Sequence, residues 1–177
     1  MTPANFVTLL RIFLVPFFFT ALVSYTPGRE NQRWTAFLIF LAAALTDMLD
    51  GFLARITKTR TELGRFLDPL ADKLLLLSGF LGLLFVSALP YRPPLWVTVT
   101  IVFRDLMIVL GLIVIYLING TFRVYPNFLG KATTAFQMAT LLTIILAWPV
   151  SILFCYVTAA LTIVSFAVYA LRELKKL

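Results

Sequence analysis

Apolar residues along this chain come in long blocks, and polar residues gather in the short intervals between them. The blocks approach or exceed the roughly 18–20 residues that a helix needs to cross a hydrocarbon core. This pattern predicts six helices, at about 5–25, 33–56, 63–88, 94–118, 128–147 and 150–172. Helix breakers mark the intervals. Pro27-Gly28 follows the first block, Pro90 and Pro93-Pro94 part the third from the fourth, Asn119-Gly120 and Pro126 bracket the next gap, and Pro149 divides the last two. The expected fold is therefore all-α: a polytopic membrane protein, a six-transmembrane-helix bundle in which residues 1–177 form a single membrane domain.

Composition agrees with that pattern. Of 177 residues, 61% are hydrophobic and 13% charged, which is far from the balance of a soluble domain. The first block has the position of a signal peptide, but it is long, carries Arg11 and Pro16 and lacks a small-residue cleavage site, so it reads as a retained span. Net charge is +7, and its distribution orients the chain. With a cytoplasmic N-terminus, the inner segments hold Arg55, Lys58, Arg60, Arg65, Arg123, Lys131, Arg172, Lys175 and Lys176, while the outer ones hold Arg29, Arg33 and Arg92. Trp34, Trp96 and Trp148 then fall at the outer interface, and both termini lie in the cytoplasm. Topology and attraction to anionic lipid account for most of the basic residues, and nothing beyond charge supports nucleic-acid binding. Histidine is absent and the lone cysteine, Cys155, lies in the last block. Imidazole-based catalysis and an intramolecular disulfide are thereby excluded, leaving carboxylates, Lys, Arg and hydroxyls for chemistry.

Only eight residues are acidic, yet four aspartates fall between positions 47 and 72, within TDMLDGFLAR and GRFLDPLADK. A carboxylate at membrane depth costs about 2.5–3.5 kcal/mol on insertion scales, so the cluster requires a reason. On helices, Asp47 and Asp50 stand about 60° apart, and Asp68 and Asp72 about 40° apart, so each pair shares a face. The interval between them is short enough for antiparallel neighbours, which would bring both pairs to one cytoplasmic level. Four carboxylates around a point make a hard oxygen site suited to Mg²⁺ or Mn²⁺, with room for two ions. Gly51 and Ala54 would let a ligand or another backbone approach closely. The plainer reading is ion pairing of each aspartate with Arg55, Arg65 or Lys73 at a helix end, but these bases are too few to neutralise two converging pairs.

Residues 47 to 72 read D-x2-D-G-x2-A-R-x8-G-x3-D-x3-D. This matches, without a gap or substitution, the signature of the CDP-alcohol phosphotransferase family, and the resemblance extends over nearly the whole chain. It implies an enzyme with a six-helix membrane domain that joins a CDP-activated lipid to a hydroxyl acceptor and releases CMP. It further implies that Asp47, Asp50, Asp68 and Asp72 ligate two divalent metals and that Asp72 is the catalytic base. By the same resemblance, Gly51 and Arg55 contact the CDP moiety, Thr61 takes the place of a nucleotide-contacting hydroxyl, and the protein is a homodimer. Upstream, Asn5-Phe6-Val7-Thr8-Leu9-Leu10-Arg11 resembles the family's P-N-x-x-T-x-x-R opening, with Ala4 where proline is usual. Asn5 and Thr8 would then lie near the nucleotide, or else serve only as helix caps.

The later segments bear on the acceptor. Arg104 lies in the middle of the fourth block, where an arginine usually faces the protein interior or a polar cavity. It is either one half of an internal pair with Asp105 or a phosphate ligand. Gly130-Lys131-x-x-Thr134-x-x-Gln137 resembles a segment shared by phosphatidylglycerophosphate synthases and CDP-diacylglycerol-dependent cardiolipin synthases, both of which use phosphate-bearing acceptors. Arg104-Asp105 and Thr133 stand where the usual synthase pattern has Arg-Glu and a second base. The expectation is transfer of a phosphatidyl group from CDP-diacylglycerol to sn-glycerol 3-phosphate, with Arg104 and Lys131 on the acceptor phosphate. Phosphatidylglycerol is the alternative acceptor. A cation transporter is the non-enzyme alternative, disfavoured because the aspartates gather near one face and no matching carboxylate or broken-helix repeat follows in the later helices.

Overall fold

The computed structural model describes the backbone of residues 3–57, 62–119 and 128–174. Side chains are described within those ranges except at 3–5, 47–57, 62–66, 68–69, 112, 115–116, 118–119, 170 and 172–174. All the regular structure described is helical: α1 Pro3–Val23, α2 Glu30–Thr57, α3 Glu62–Phe85, α4 Leu95–Asn119, α5 Phe128–Ile145 and α6 Ser151–Leu174. Every helix expected from the apolar blocks is present, with ends displaced by at most three residues.

The displacements have local causes. α2 starts at Glu30 rather than 33 because Glu30 sits in its first turn, where a carboxylate faces the positive end of the helix dipole. There it pairs with Arg33 at 2.9 Å and accepts a hydrogen bond from the Tyr25 hydroxyl at 3.1 Å. The preceding reversal uses Gly28 at a φ of 92°, a left-handed conformation suited to glycine. α5 stops at Ile145 rather than 147 because Ala147 is itself left-handed, at a φ of 57°. The Trp148 N–H then donates to the Thr143 carbonyl and the Ala147 N–H to that of Ile144, each at 2.9 Å. This is a Schellman closure with alanine where glycine is usual. Pro16 does not break α1, since a helix in lipid has no water to take over its backbone groups.

The chain divides into two compact units, residues 1–88 and 89–177. In the first, α1 is central and packs along both α2 and α3, which touch each other over a smaller area. Its core is apolar: Phe18 of α1 meets Phe40 of α2 with ring centroids 5.3 Å apart, and Phe19 meets Phe85 of α3 at 6.5 Å. Gly82 of α3 allows close approach, because a Cβ there would lie 2.9 Å from Leu22 Cδ2. In the second unit α6 is central, packing on α4 and α5.

Three of the helices, over Phe6–Val23, Phe128–Ile145 and Ser151–Tyr169, are long and apolar enough among the described residues to cross a membrane. Large apolar side chains also lie on the surface, Phe6 at 67% and Phe128 at 83% exposure among them. Surface of this kind calls for a lipid environment.

Candidate active site

The aspartate motif spans the end of α2 and the start of α3. Asp47 stands ten residues before Thr57, and Asp72 ten after Glu62. Asp50 and Asp68 stand seven before and six after the same ends. At 1.5 Å per residue the outer members of the two pairs are each about 15 Å from their helix end, and the inner members about 9–10 Å. Thr57 and Glu62 are five residues apart, so the helix ends lie within about 18 Å of each other. Two touching helices joined through so short a segment carry all four positions in the halves that the segment joins.

α1 supplies the third wall. Leu22 lies against Gly82, and Phe19 against Phe85, so α1 and α3 meet with their C-terminal ends together and run in parallel. Fourteen residues back from Leu22 is Thr8, and fourteen back from Gly82 is Asp68. Parallel packed helices therefore set Thr8 at the level of the aspartates, with Arg11 one turn further in. Thr8 is fully buried and Arg11 is 1% exposed. Both lie on the stripe that continues into Phe18 and Leu22, so the buried face of α1 is polar toward the aspartates and apolar beyond. Asp72 is half-buried, with Ala71 and Lys73 buried on either side.

Among the described residues no three metal-ligating side chains cluster, since Asp72 is the only one of the four aspartates whose side chain is described. The side chains of Asn5, Asp47, Asp50, Arg55 and Asp68, the surroundings of Gly51, and all of Thr61 lie outside the described residues. The donor chemistry nevertheless fits a hard divalent cation: four carboxylates, carried by two adjoining helices.

The two basic residues tied to the acceptor are in the second unit. Arg104, 4% exposed, pairs through Nη1 with Asp105 Oδ1 at 2.8 Å and donates from Nη2 to Ser165 Oγ of α6, also at 2.8 Å. Both alternatives open from sequence bear on this guanidinium: the internal pair is formed, and the buried Nε has no hydrogen-bond partner. Lys131, on the first turn of α5, is exposed.

Sequence reasoning missed the polar stripe of α6. Thr158, Thr162 and Ser165 are buried at i, i+4 and i+7, and Thr133, Gln137 and Thr140 repeat that spacing on α5. The Thr140 and Thr158 hydroxyls lie 2.7 Å apart, and Thr133 donates to the Leu161 carbonyl at 3.3 Å. Two hydroxyl-bearing series at one helical spacing were the available signal.

Comparison with known proteins agrees with the motif. The family model for CDP-alcohol phosphatidyltransferase matches residues 1–167, and the chain belongs to that family. A Mycobacterium tuberculosis (strain H37Rv) protein named probable phosphatidylglycerophosphate synthase is 36% identical over 97% of this chain and 81% of its own length. An Aquifex aeolicus CDP-diacylglycerol–glycerol-3-phosphate 3-phosphatidyltransferase is 33% identical over 81% of this chain and 75% of its own. A Streptomyces coelicolor cardiolipin synthase (CMP-forming) is 34% identical over 76% and 60%.

Proposed function

We propose that this protein makes phospholipid by transferring a phosphatidyl group from CDP-diacylglycerol to the hydroxyl of sn-glycerol 3-phosphate, releasing CMP. The observation that carries the reading is the ungapped aspartate motif on the joined halves of two touching helices, in a chain similar to a glycerol-3-phosphate 3-phosphatidyltransferase over most of its length. All six helices span the bilayer in this reading: the three not counted among the spans above have 28, 24 and 25 residues, each enough to cross. Residues 1–177 act as one catalytic domain, both termini and the active site face the cytoplasm by the positive-inside rule, and the protein works as a homodimer.

Asp47, Asp50, Asp68 and Asp72 would hold two Mg²⁺ or Mn²⁺ ions. Bound there, the ions would neutralise the CDP diphosphate and the charge that develops on departing CMP. Gly51 admits the nucleotide closely, Arg55 binds its phosphates, and Asn5, Thr8 and Thr61 offer polar contacts. Arg104 and Lys131 hold the acceptor phosphate. Asp72 takes the proton from the acceptor hydroxyl as its oxygen bonds to the lipid-side phosphorus and the phosphorus–oxygen bond to CMP breaks. The proton then passes from Asp72 to solvent. Without histidine or a reactive cysteine at the site, direct displacement needs only positioning and this one proton transfer.

A second reading has phosphatidylglycerol as acceptor, which would make the protein a cardiolipin synthase. One observation favours it: Asp105 neutralises Arg104, and a neutral pair suits a singly charged phosphodiester better than a phosphomonoester. The test is CMP release by purified protein in detergent, with CDP-diacylglycerol and Mg²⁺ or Mn²⁺, offering the two acceptors separately. Turnover with glycerol 3-phosphate that drops about 10²–10⁴-fold in Asp72→Asn supports the primary reading. Turnover with phosphatidylglycerol alone selects the second, and an undiminished Asp72→Asn removes the proposed base.

A further inference from the structure

Arg104 comes from the middle of α4, yet its guanidinium is held from two helices. Asp105, its chain neighbour, takes Nη1, and Ser165, 61 residues on in α6, takes Nη2, both at 2.8 Å. A guanidinium presents five N–H donors in one plane. A single contact leaves that plane free to swing about the side-chain torsions, whereas two contacts on separate nitrogens fix it. The Nε–H, buried with the rest, is left without a partner. An unmet buried donor is costly, and an acceptor oxygen brought to it would remove that cost.

Ser165 also differs from the rest of its stripe. Thr162 donates to the Thr158 carbonyl of its own helix at 2.7 Å, and Thr158 engages Thr140 of α5. Among the described residues of that stripe, Ser165 alone is bonded to a charged side chain. Its oxygen accepts from Arg104 without adding charge, so it orients the guanidinium and leaves the charge balance set by Asp105 unchanged.

We propose that Ser165 is a positioning residue for the acceptor: it clamps Arg104 so that the Nε edge of the guanidinium meets an oxygen of the acceptor's phosphate. The proposal rests on the reading of Arg104 as an acceptor-phosphate ligand. It requires the clamp to act on acceptor binding more than on CDP-diacylglycerol or on the chemical step.

The experiment uses full-length protein in detergent, with CDP-diacylglycerol and whichever of glycerol 3-phosphate or phosphatidylglycerol supports CMP release. Ser165→Ala, Ser165→Thr and Arg104→Lys are compared for KM of each substrate, kcat and melting temperature. The expected result is that Ser165→Ala raises the acceptor KM about tenfold, as for loss of one hydrogen bond to a charged group, with kcat and the CDP-diacylglycerol KM held within about twofold. Ser165→Thr, which keeps the hydroxyl, restores the acceptor KM. If Ser165→Ala does not fold, Ser165→Cys keeps the size while weakening the contact and gives the same reading. An unchanged acceptor KM in the serine variants, with a raised one in Arg104→Lys, overturns the clamp and leaves the role of Arg104 standing. Parallel losses in both KM values and kcat with a lower melting temperature make Ser165 structural and overturn it too. An unchanged acceptor KM in Arg104→Lys overturns the underlying reading of Arg104 and the proposal with it.

Discussion

The two halves of this chain solve the same packing problem with different chemistry. Each is three helices ordered around one, α1 in the first and α6 in the second. In the first unit the described contacts are chiefly shape: the Phe18–Phe40 and Phe19–Phe85 rings, and Gly82 against Leu22, while Thr8, Arg11 and Lys73 are buried toward the aspartates. In the second unit buried hydroxyls, one amide and an ion pair lie along the helix contacts. Lipid is as apolar as leucine, so burial of apolar surface alone does little to hold helices together within it. Close approach and hydrogen bonding are the two remedies, and each unit leans on one. Among the described residues the first unit gathers its buried polar side chains on the stretches that carry Thr8, Arg11 and Lys73, while the second spreads them along its helix contacts.

That contrast breaks most readily at Arg104. Arg104→Leu removes one half of a buried ion pair with Asp105 and should lower stability by about 3–5 kcal/mol, read as a large fall in melting temperature in detergent. Phe40→Ala, the shape counterpart in the first unit, should cost about 3 kcal/mol through the void it leaves. If the arginine change proved milder than the phenylalanine one, the second unit would not depend on its charges. Ala147→Gly relieves a left-handed alanine and should stabilise by about 1 kcal/mol, raising the melting temperature with activity unchanged. Thr140→Val, combined in a cycle with Thr158→Val, should give a coupling of about 0.6 kcal/mol, typical of hydroxyl bonds between membrane helices.

An effect of similarly small size belongs to Tyr25, in the turn between α1 and α2. Burial raises its phenol above the usual value of 10.0, and the hydrogen bond to Glu30 adds to the shift. The folded state therefore favours the protonated phenol. The stability this confers is complete below the unfolded pKa near 10 and is lost as pH rises through the higher folded value. Tyr25→Phe should cost about 0.5–1 kcal/mol at neutral pH, and unfolding measured from pH 9 upward should show that difference vanish.

Much of the fold was legible because apolar blocks and prolines state where helices stop. The aspartate motif was legible because carboxylates in such surroundings demand an explanation. Facing was harder to read. Beyond Arg11, α1 is apolar on nearly every side, so nothing in that stretch of its pattern distinguishes a lipid-facing from a buried surface, and its central place emerges only from Phe18, Phe19 and Leu22 meeting two partners. Thr158, Thr162 and Ser165 escaped notice because a hydroxyl in a membrane helix can bond its own backbone and so tolerates either face. Arg104-Asp105 left two readings open in sequence, and the partnership with Ser165, 61 residues away, was beyond any local pattern.

The central place of α1 has a consequence for biogenesis. Arg11, 1% exposed in the finished protein, is made before either helix that packs beside it. At about 5–20 residues per second, the 62 residues from Val23 to Phe85 occupy the ribosome for roughly 3–12 s. Throughout that interval an arginine sits on a newly inserted helix without its final surroundings, at an insertion cost of about 2.5–3.5 kcal/mol. The arrival of α3 closes the first unit around it. Nascent chains stalled short of that point would be recognisable to the membrane's quality-control proteases by an unsheltered cation, and those released beyond it would not.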